Sequence, residues 1–118
     1  MKTYRSLRVA FYARVAVRHR SGADRLADQV AALRQRLAAD GGRLAAEFAF
    51  IDDGCSGASL LRPALERLRQ HVAQGALDRL YVAAPARLTR SVAHHFLLVE
   101  EFRRAGVEVI FVEANSPV

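Results

Sequence analysis

Four arginines stand close behind strand-like segments of this sequence and could together bind an anion. The apolar segment 7–12 ends two residues before Arg14, and Arg62, Arg87 and Arg90 follow two later apolar segments. A guanidinium group makes paired hydrogen bonds to phosphate oxygens. Arginines that share one site repel one another unless an anion lies between them. The pattern therefore predicts a phosphate site.

These arginines can meet only if the chain places the ends of its strands together. Four apolar stretches predict β-strands, over residues 7–12, 44–51, 77–83 and 107–112. Apolar residues three or four positions apart predict the buried faces of three intervening helices. These faces comprise Leu26, Val30, Leu33 and Leu37 in the first helix, Leu65, Leu68 and Val72 in the second, and Phe96, Val99 and Phe102 in the third.

The alternation of strands and helices favours an α/β fold. We predict one three-layer domain with a mostly parallel sheet of four or slightly more strands and helices on both faces. Ligands bind beyond the carboxyl ends of the strands in such sheets, and the three inner connections each deliver arginine to that edge. Ser21, with Asp24 three residues later, and Ser91 are typical of helix starts. Pro63 suits the first turn of a helix, whereas 84–91 is predicted as a loop.

Composition limits the classes of protein that this chain can be. Its 118 residues suit one domain, its net charge is +6, and 17 of its 18 basic residues are arginine because Lys2 is the only lysine. The arginine bias indicates either a nucleic-acid partner or the coding bias of a GC-rich genome. No apolar run is long enough to span a membrane. The lone Cys55 forms no internal disulfide and suits a reducing, cytoplasmic location.

Three short motifs follow the predicted strands in order. They are YARVA at residues 12–16, DGCSGASLLR at 53–62 and ARLTR at 86–90. These motifs resemble the Tyr-x-Arg-Val-Ser, Asp…Ser-Gly…Arg and Asp-Arg-Leu-x-Arg segments of serine recombinases, the resolvase–invertase family. Gln29 in the first helix matches a further residue of that family. The resemblance covers nearly the whole chain and implies a resolvase-like fold.

The resemblance also implies a chemistry. In the family, a serine hydroxyl attacks a DNA phosphodiester, forms a phosphoserine link and exchanges strands within a tetramer. Arginines neutralise the phosphoryl charge, so neither a metal nor another cofactor is expected. The resemblance gives catalytic roles to Arg14, Arg62, Arg87 and Arg90, and contacts with DNA phosphate to these four and to Arg20, Gln29, Asp53 and Ser56.

The implied partners are DNA and further copies of the chain, as a homodimer or tetramer in a full-length context. In the family, a dimerisation helix and a separate DNA-binding domain would follow residue 118. Residues 1–118 are therefore interpreted as a resolvase-like catalytic domain without those two parts.

The sequence departs from the family at the residues that would do the chemistry. Ala16 stands at the position of the nucleophilic serine, and Ala86 stands where the family has aspartate. Arg20 replaces a glutamine that often lies four residues after the serine. Two interpretations remain: a recombinase catalytic domain that is inactive because position 16 is alanine, by natural loss or by engineering, or a nuclease-dead module for phosphate binding, DNA binding or dimerisation with a regulatory role.

Other chemistries fit the residues less well. A cysteine phosphatase needs five residues between its cysteine and arginine, whereas six separate Cys55 from Arg62. His94 and His95 are adjacent, so on a helix their side chains point about 100° apart and do not chelate one metal. The acidic pair at residues 52–53 raises the possibility of Mg²⁺, but Asp53 matches a family carboxylate that binds none. We therefore predict no metal site.

Overall fold

The computed structural model describes residues 7–15, 20–54, 58, 60 and 62–113. In this part of the chain the strands are β1 (Val9–Val15), β2 (Leu44–Asp53), β3 (Arg79–Val82) and β4 (Glu108–Phe111). The helices are α1 (Arg20–Ala39), α2 (Pro63–Ala73), α3 (Pro85–Leu88) and α4 (Val92–Arg104). The predicted β-α-β alternation is therefore present, with α3 as an additional short helix.

The four strands form one parallel sheet in the order β2-β1-β3-β4. Tyr12 of β1 pairs with Phe50 on one side and with Val82 on the other. The chain runs outward from β1 to β2, then crosses back to β3 on the opposite side of β1. The strand order thus reverses between β1 and β3, which is where open parallel sheets leave a crevice for ligands.

Alternating residues of β1 support two cores, one on each face of the sheet. Phe11 and Ala13 pack with Leu33 and Leu37 of α1. Ala10 and Tyr12 lie on the other face, in a cluster that includes Leu65 and Leu68 of α2 and Leu98 and Phe102 of α4. Burial of each large apolar side chain contributes about 1.5–3 kcal/mol. The predicted α/β fold with helices on both faces is confirmed.

Two boundaries differ from the prediction in ways that affect the functional site. The first strand was expected to end at residue 12 but continues to Val15, because β2 accompanies it as far as the pair Val15 and Asp53. Arg14 therefore belongs to the strand itself. The predicted loop 84–91 contains α3, which begins with Pro85 and ends where the main-chain N–H of Thr89 bonds to the Pro85 carbonyl.

The predicted buried face of the last helix is partly wrong. Phe96 is 69% exposed and Val99 is only half-buried, whereas Leu98 and Phe102 are buried. Leu98 and Phe102 are four residues apart and share one face, but Phe96 lies about 200° around the helix from Leu98. The predicted cap at Ser91 is correct, because its hydroxyl accepts the main-chain N–H of His94. The predicted cap at Ser21 is wrong, because α1 already begins at Arg20.

Candidate functional site

Arg14 lies at the reversal of strand order and ties β1 to α3. Its side chain is on the same face of the sheet as Tyr12, and the residue is only 2% exposed. Its Nε donates to the carbonyl oxygen of Arg87 at 2.9 Å, and its Nη2 donates to that of Ala86 at 2.5 Å. Two main-chain acceptors therefore hold the guanidinium group in a defined orientation.

Gln29 of α1 holds the main chain of the same residue. The last pair between β1 and β3 joins Tyr12 to Val82, so Arg14 extends beyond the end of its neighbouring strand. The Arg14 N–H donates to Gln29 Oε1 at 3.1 Å, and Gln29 Nε2 donates to the Arg14 carbonyl at 3.2 Å. The side-chain amide of Gln29 thus makes the two main-chain hydrogen bonds to Arg14 that a longer β3 would otherwise make. The expected contact of Gln29 with phosphate stays a prediction, since these described bonds position Arg14 instead.

Arg62 comes from the opposite side of the site and is 1% exposed. It precedes α2, and its Nη1 donates to the Tyr12 hydroxyl at 3.0 Å. That hydroxyl in turn donates to Asp52 Oδ2 at 2.7 Å. Burial, followed by the bond to Asp52, raises the pKa of Tyr12 far above its usual range. Tyr12 therefore stays protonated, and its hydroxyl accepts a hydrogen bond from Arg62 while donating one to Asp52.

Asp52 also caps the first turn of α2. Its Oδ1 accepts the N–H of Ala64 at 2.9 Å, and its Oδ2 accepts that of Leu65 at 3.0 Å. The residue before this helix, Arg62, makes no side-chain cap, so a carboxylate from β2 takes that role. A negative charge is favourable at a helix N-terminus. One aspartate thus fixes both the start of α2 and, through Tyr12, the guanidinium of Arg62.

Asp52 is the residue that sequence reasoning missed. The prediction placed the site carboxylate at Asp53 and considered Asp52 only as half of a metal-binding pair. Phe50 and Asp52 share the face of β2 that packs on α2, whereas Asp53 is half-buried and alternates to the other side. Period-2 alternation from Phe50 could have identified Asp52, had the strand been extended past residue 51.

The four predicted arginines lie close enough to interact. Burial, and then the charges of Arg62, Arg87 and Arg90, lower the pKa of Arg14. Arg87 is half-buried and Arg90 is exposed, so access to solvent increases from the centre of the site outwards. The structure therefore brings together cations from the ends of β1 and β3 and from the start of α2. Such a group of positive charges stabilises an anion placed between them.

The remaining predicted residues are less completely described. Ala16, Cys55 and Ser56 lie outside the described residues, and Arg20 begins α1 with a side chain that is also outside them. Within the described chain, no three His, Cys, Asp or Glu side chains are grouped so that they could hold a metal ion. None of the described helices is long and apolar enough to cross a membrane.

The chain is similar to known proteins in both sequence and structure. A protein of Bacillus subtilis (strain 168), named as a candidate DNA recombinase, is 37% identical over 71 residues, which are 58% of this chain and 14% of that protein. The catalytic domain of ISC1926 TnpA, an IS607-like serine recombinase, superposes with a TM-score of 0.81 at 25% identity, covering 95% of this chain and 71% of that chain.

The N-terminal catalytic domain of TP901-1 integrase superposes with a TM-score of 0.77 at 30% identity, covering 89% of this chain and 76% of that chain. The family model described as "Resolvase, N terminal domain" matches residues 9–117, which is nearly the whole sequence. This chain therefore belongs to the resolvase N-terminal domain family.

Proposed function

We propose that this domain is a serine-recombinase catalytic domain that holds a DNA backbone phosphate among Arg14, Arg62, Arg87 and Arg90. One observation carries the proposal: two nearly fully buried guanidinium groups, Arg14 and Arg62, lie within a group of arginines, and burial, followed by repulsion from Arg62, Arg87 and Arg90, lowers the pKa of Arg14. A phosphate between them would relieve that repulsion and accept paired hydrogen bonds.

The surrounding contacts would prepare these arginines for phosphoryl transfer. Carbonyl groups of α3 and the amide of Gln29 fix Arg14, while Tyr12 and Asp52 fix Arg62. Donors that are already oriented need no rearrangement when charge develops on the phosphoryl oxygens. The half-buried Arg87 and the exposed Arg90 would meet the phosphate from the solvent side.

We further propose that the chain binds this phosphate without cleaving DNA. The nucleophile position holds Ala16, whose methyl group has no lone pair to attack phosphorus. The alternative function, a nuclease-dead regulatory module that binds phosphate or DNA or forms dimers, is favoured by the second alanine. Ala86 bonds to Arg14 through its main-chain carbonyl, which any residue would offer, and its methyl side chain lacks the carboxylate that the family resemblance implies at this position. Assembly into a homodimer or tetramer is proposed only for a full-length context.

A salt titration of DNA binding tests the phosphate site. We compare Arg90→Ala with Arg43→Ala, an equally large loss of charge at an exposed residue just before β2, on the opposite edge of the sheet. Between about 50 and 200 mM NaCl, loss of one phosphate contact should reduce the slope of log K against log salt by about 0.9.

The expected result is a reduced slope and weaker binding for Arg90→Ala only, with no dependence on DNA sequence, because phosphate contacts carry no sequence information. Equal effects of the two substitutions would show that binding follows net charge and not the site. Tight, sequence-selective binding that ignores salt would also contradict the proposal.

A further inference from the structure

A groove of about 400 Å³ lies between α3 and the first turns of α4. The residues that line it include Pro85, Ala86, Arg90, Val92, His95 and Phe96. Val92 is 72% exposed and Phe96 is 69% exposed, so the groove presents two apolar side chains to solvent. The ring of His95 meets the ring of Phe96 edge-on at 5.8 Å between centroids, which gives the groove an aromatic wall.

The groove is continuous with the arginine site. Ala86 lines the groove, and its carbonyl oxygen accepts the hydrogen bond from Arg14. Arg90 also lines the groove and is one of the charges that lower the pKa of Arg14. A ligand with an anionic group among the arginines and an adjoining apolar ring would therefore occupy both places at once.

We propose that this groove binds the nucleobase next to the phosphate that the arginines hold, with Phe96 as its stacking surface. The proposal rests on the proposed function and specifies the part of the DNA that it would contact. Every base has a π-face, so stacking on Phe96 would be tolerant of sequence. A base inside a duplex cannot reach a protein groove without leaving its stack, so the preferred substrate is single-stranded or unpaired DNA.

The charges around α4 favour this side of the helix for DNA. A second groove on α4 shares Phe96 but is lined by Leu97, Glu100 and Glu101. Glu100 bonds to Arg103 and Arg104, and Glu101 bonds to Arg69, so the acidic groups there are neutralised by the protein's own cations. The first groove, in contrast, has Arg90 and no carboxylate among its described lining residues, whereas the second is lined by two carboxylates and one arginine, so the first groove is the more favourable place for a phosphate chain.

The test compares two oligomers that have equal numbers of phosphates, a single-stranded oligothymidylate and an abasic deoxyribose-phosphate chain of the same length. The wild-type chain should bind the base-bearing strand at least about fivefold more tightly, the lower end for one base–aromatic stack. Phe96→Ala should bring this ratio close to one and leave the affinity for the abasic strand unchanged. Phe96→Trp and the control Leu97→Ala should keep the ratio.

Several outcomes would overturn the inference. A ratio near one in the wild type, with normal binding of both strands, removes the base site and leaves the phosphate site standing. Absence of binding to either strand removes both proposals. A ratio that survives Phe96→Ala, together with a change from dimer to monomer in sedimentation, would show that a second copy of the chain covers the groove instead.

Discussion

The two edges of the sheet both carry arginines, but the protein surrounds them differently. At the amino edge, Arg8 pairs with Asp78 at 3.0 Å and Arg79 pairs with Glu108 at 2.8 Å. The hydrogen bond to Asp78 raises the pKa of Arg8, and the bonds to Tyr81 and Glu108 raise that of Arg79. Each of these cations is thus matched to a carboxylate of the chain itself.

At the carboxyl edge, the pKa of Arg14 is shifted in the opposite direction. Burial and three neighbouring arginines lower the pKa of Arg14, and the Tyr12 hydroxyl links the buried Asp52 to Arg62. The same residue type therefore has a structural environment at one edge and an environment suited to an external anion at the other.

The largest effect is expected from giving the carboxyl edge a nucleophile. Ala16→Ser supplies a hydroxyl two residues after Arg14, where the arginines could stabilise attack on a phosphate. The unmodified chain should form no covalent DNA adduct, and the variant should form one with a nicked or suicide substrate. The measurement is a gel assay for protein–DNA adducts, with the protein joined to a dimerisation helix and a DNA-binding domain.

Ala86→Asp serves as the partner substitution in that experiment, because it supplies the aspartate that the family resemblance implies at position 86. An adduct with Ala16→Ser alone would mean that the remaining site is functional. An adduct only in the double variant would mean that the carboxylate is also needed. An adduct from the unmodified chain would contradict the assignment of position 16, and no adduct in either variant, with folding and DNA binding intact, would favour the regulatory module.

The second-largest effect concerns the carboxylate that holds the carboxyl edge together. Asp52→Asn keeps the size of the side chain but removes the charge that binds Tyr12 and the start of α2. We expect the free energy of unfolding to fall by about 1–3 kcal/mol, as for other buried charged hydrogen bonds. Chemical denaturation measures this, with Asp28→Asn on the exposed side of α1 as control. Equal stability of the two variants would contradict the assigned role of Asp52.

Much of this contrast was accessible from the sequence, because the carboxyl ends of parallel strands must meet at one edge. That rule alone predicted the convergence of arginines from three separate connections. The family resemblance added their order and the place of Ala16. The first argument depends on topology and the second on short sequence motifs, so neither needs knowledge of side-chain contacts.

The contacts that fix the arginines were less accessible. The roles of Asp52 and Gln29 depend on where β2 ends and on where the pairing of β3 with β1 ends. Contacts between the strands determine these end points, and the lengths of the apolar runs in the sequence do not reveal them. The short α3 has too few residues for a periodic pattern, although Pro85 suits its start. The sequence predicted that Phe96 is buried because most large apolar residues are, yet single exposed apolar residues are common. Leu98 and Phe102 define the buried face of α4, and Phe96 lies outside that face.

The smallest effect is a difference in stability between the two edges. Arg79→Gln removes a partly exposed ion pair and should lower the free energy of unfolding by up to about 1 kcal/mol. Arg90→Gln removes a charge that repels Arg14, so it should be neutral or stabilising by a few tenths, roughly, of a kcal/mol at low salt. Thermal unfolding without DNA measures both variants against the wild type.

Salt decides whether that difference is electrostatic. At about 1 M NaCl, screening shortens the range of charge interactions to about 3 Å, so any gain from Arg90→Gln should disappear and the loss from Arg79→Gln should shrink. A loss of stability in Arg90→Gln as large as that in Arg79→Gln would mean that the protein itself neutralises Arg90. The carboxyl edge would then resemble the amino edge, and the argument that its positive charge is directed at a phosphate would fail.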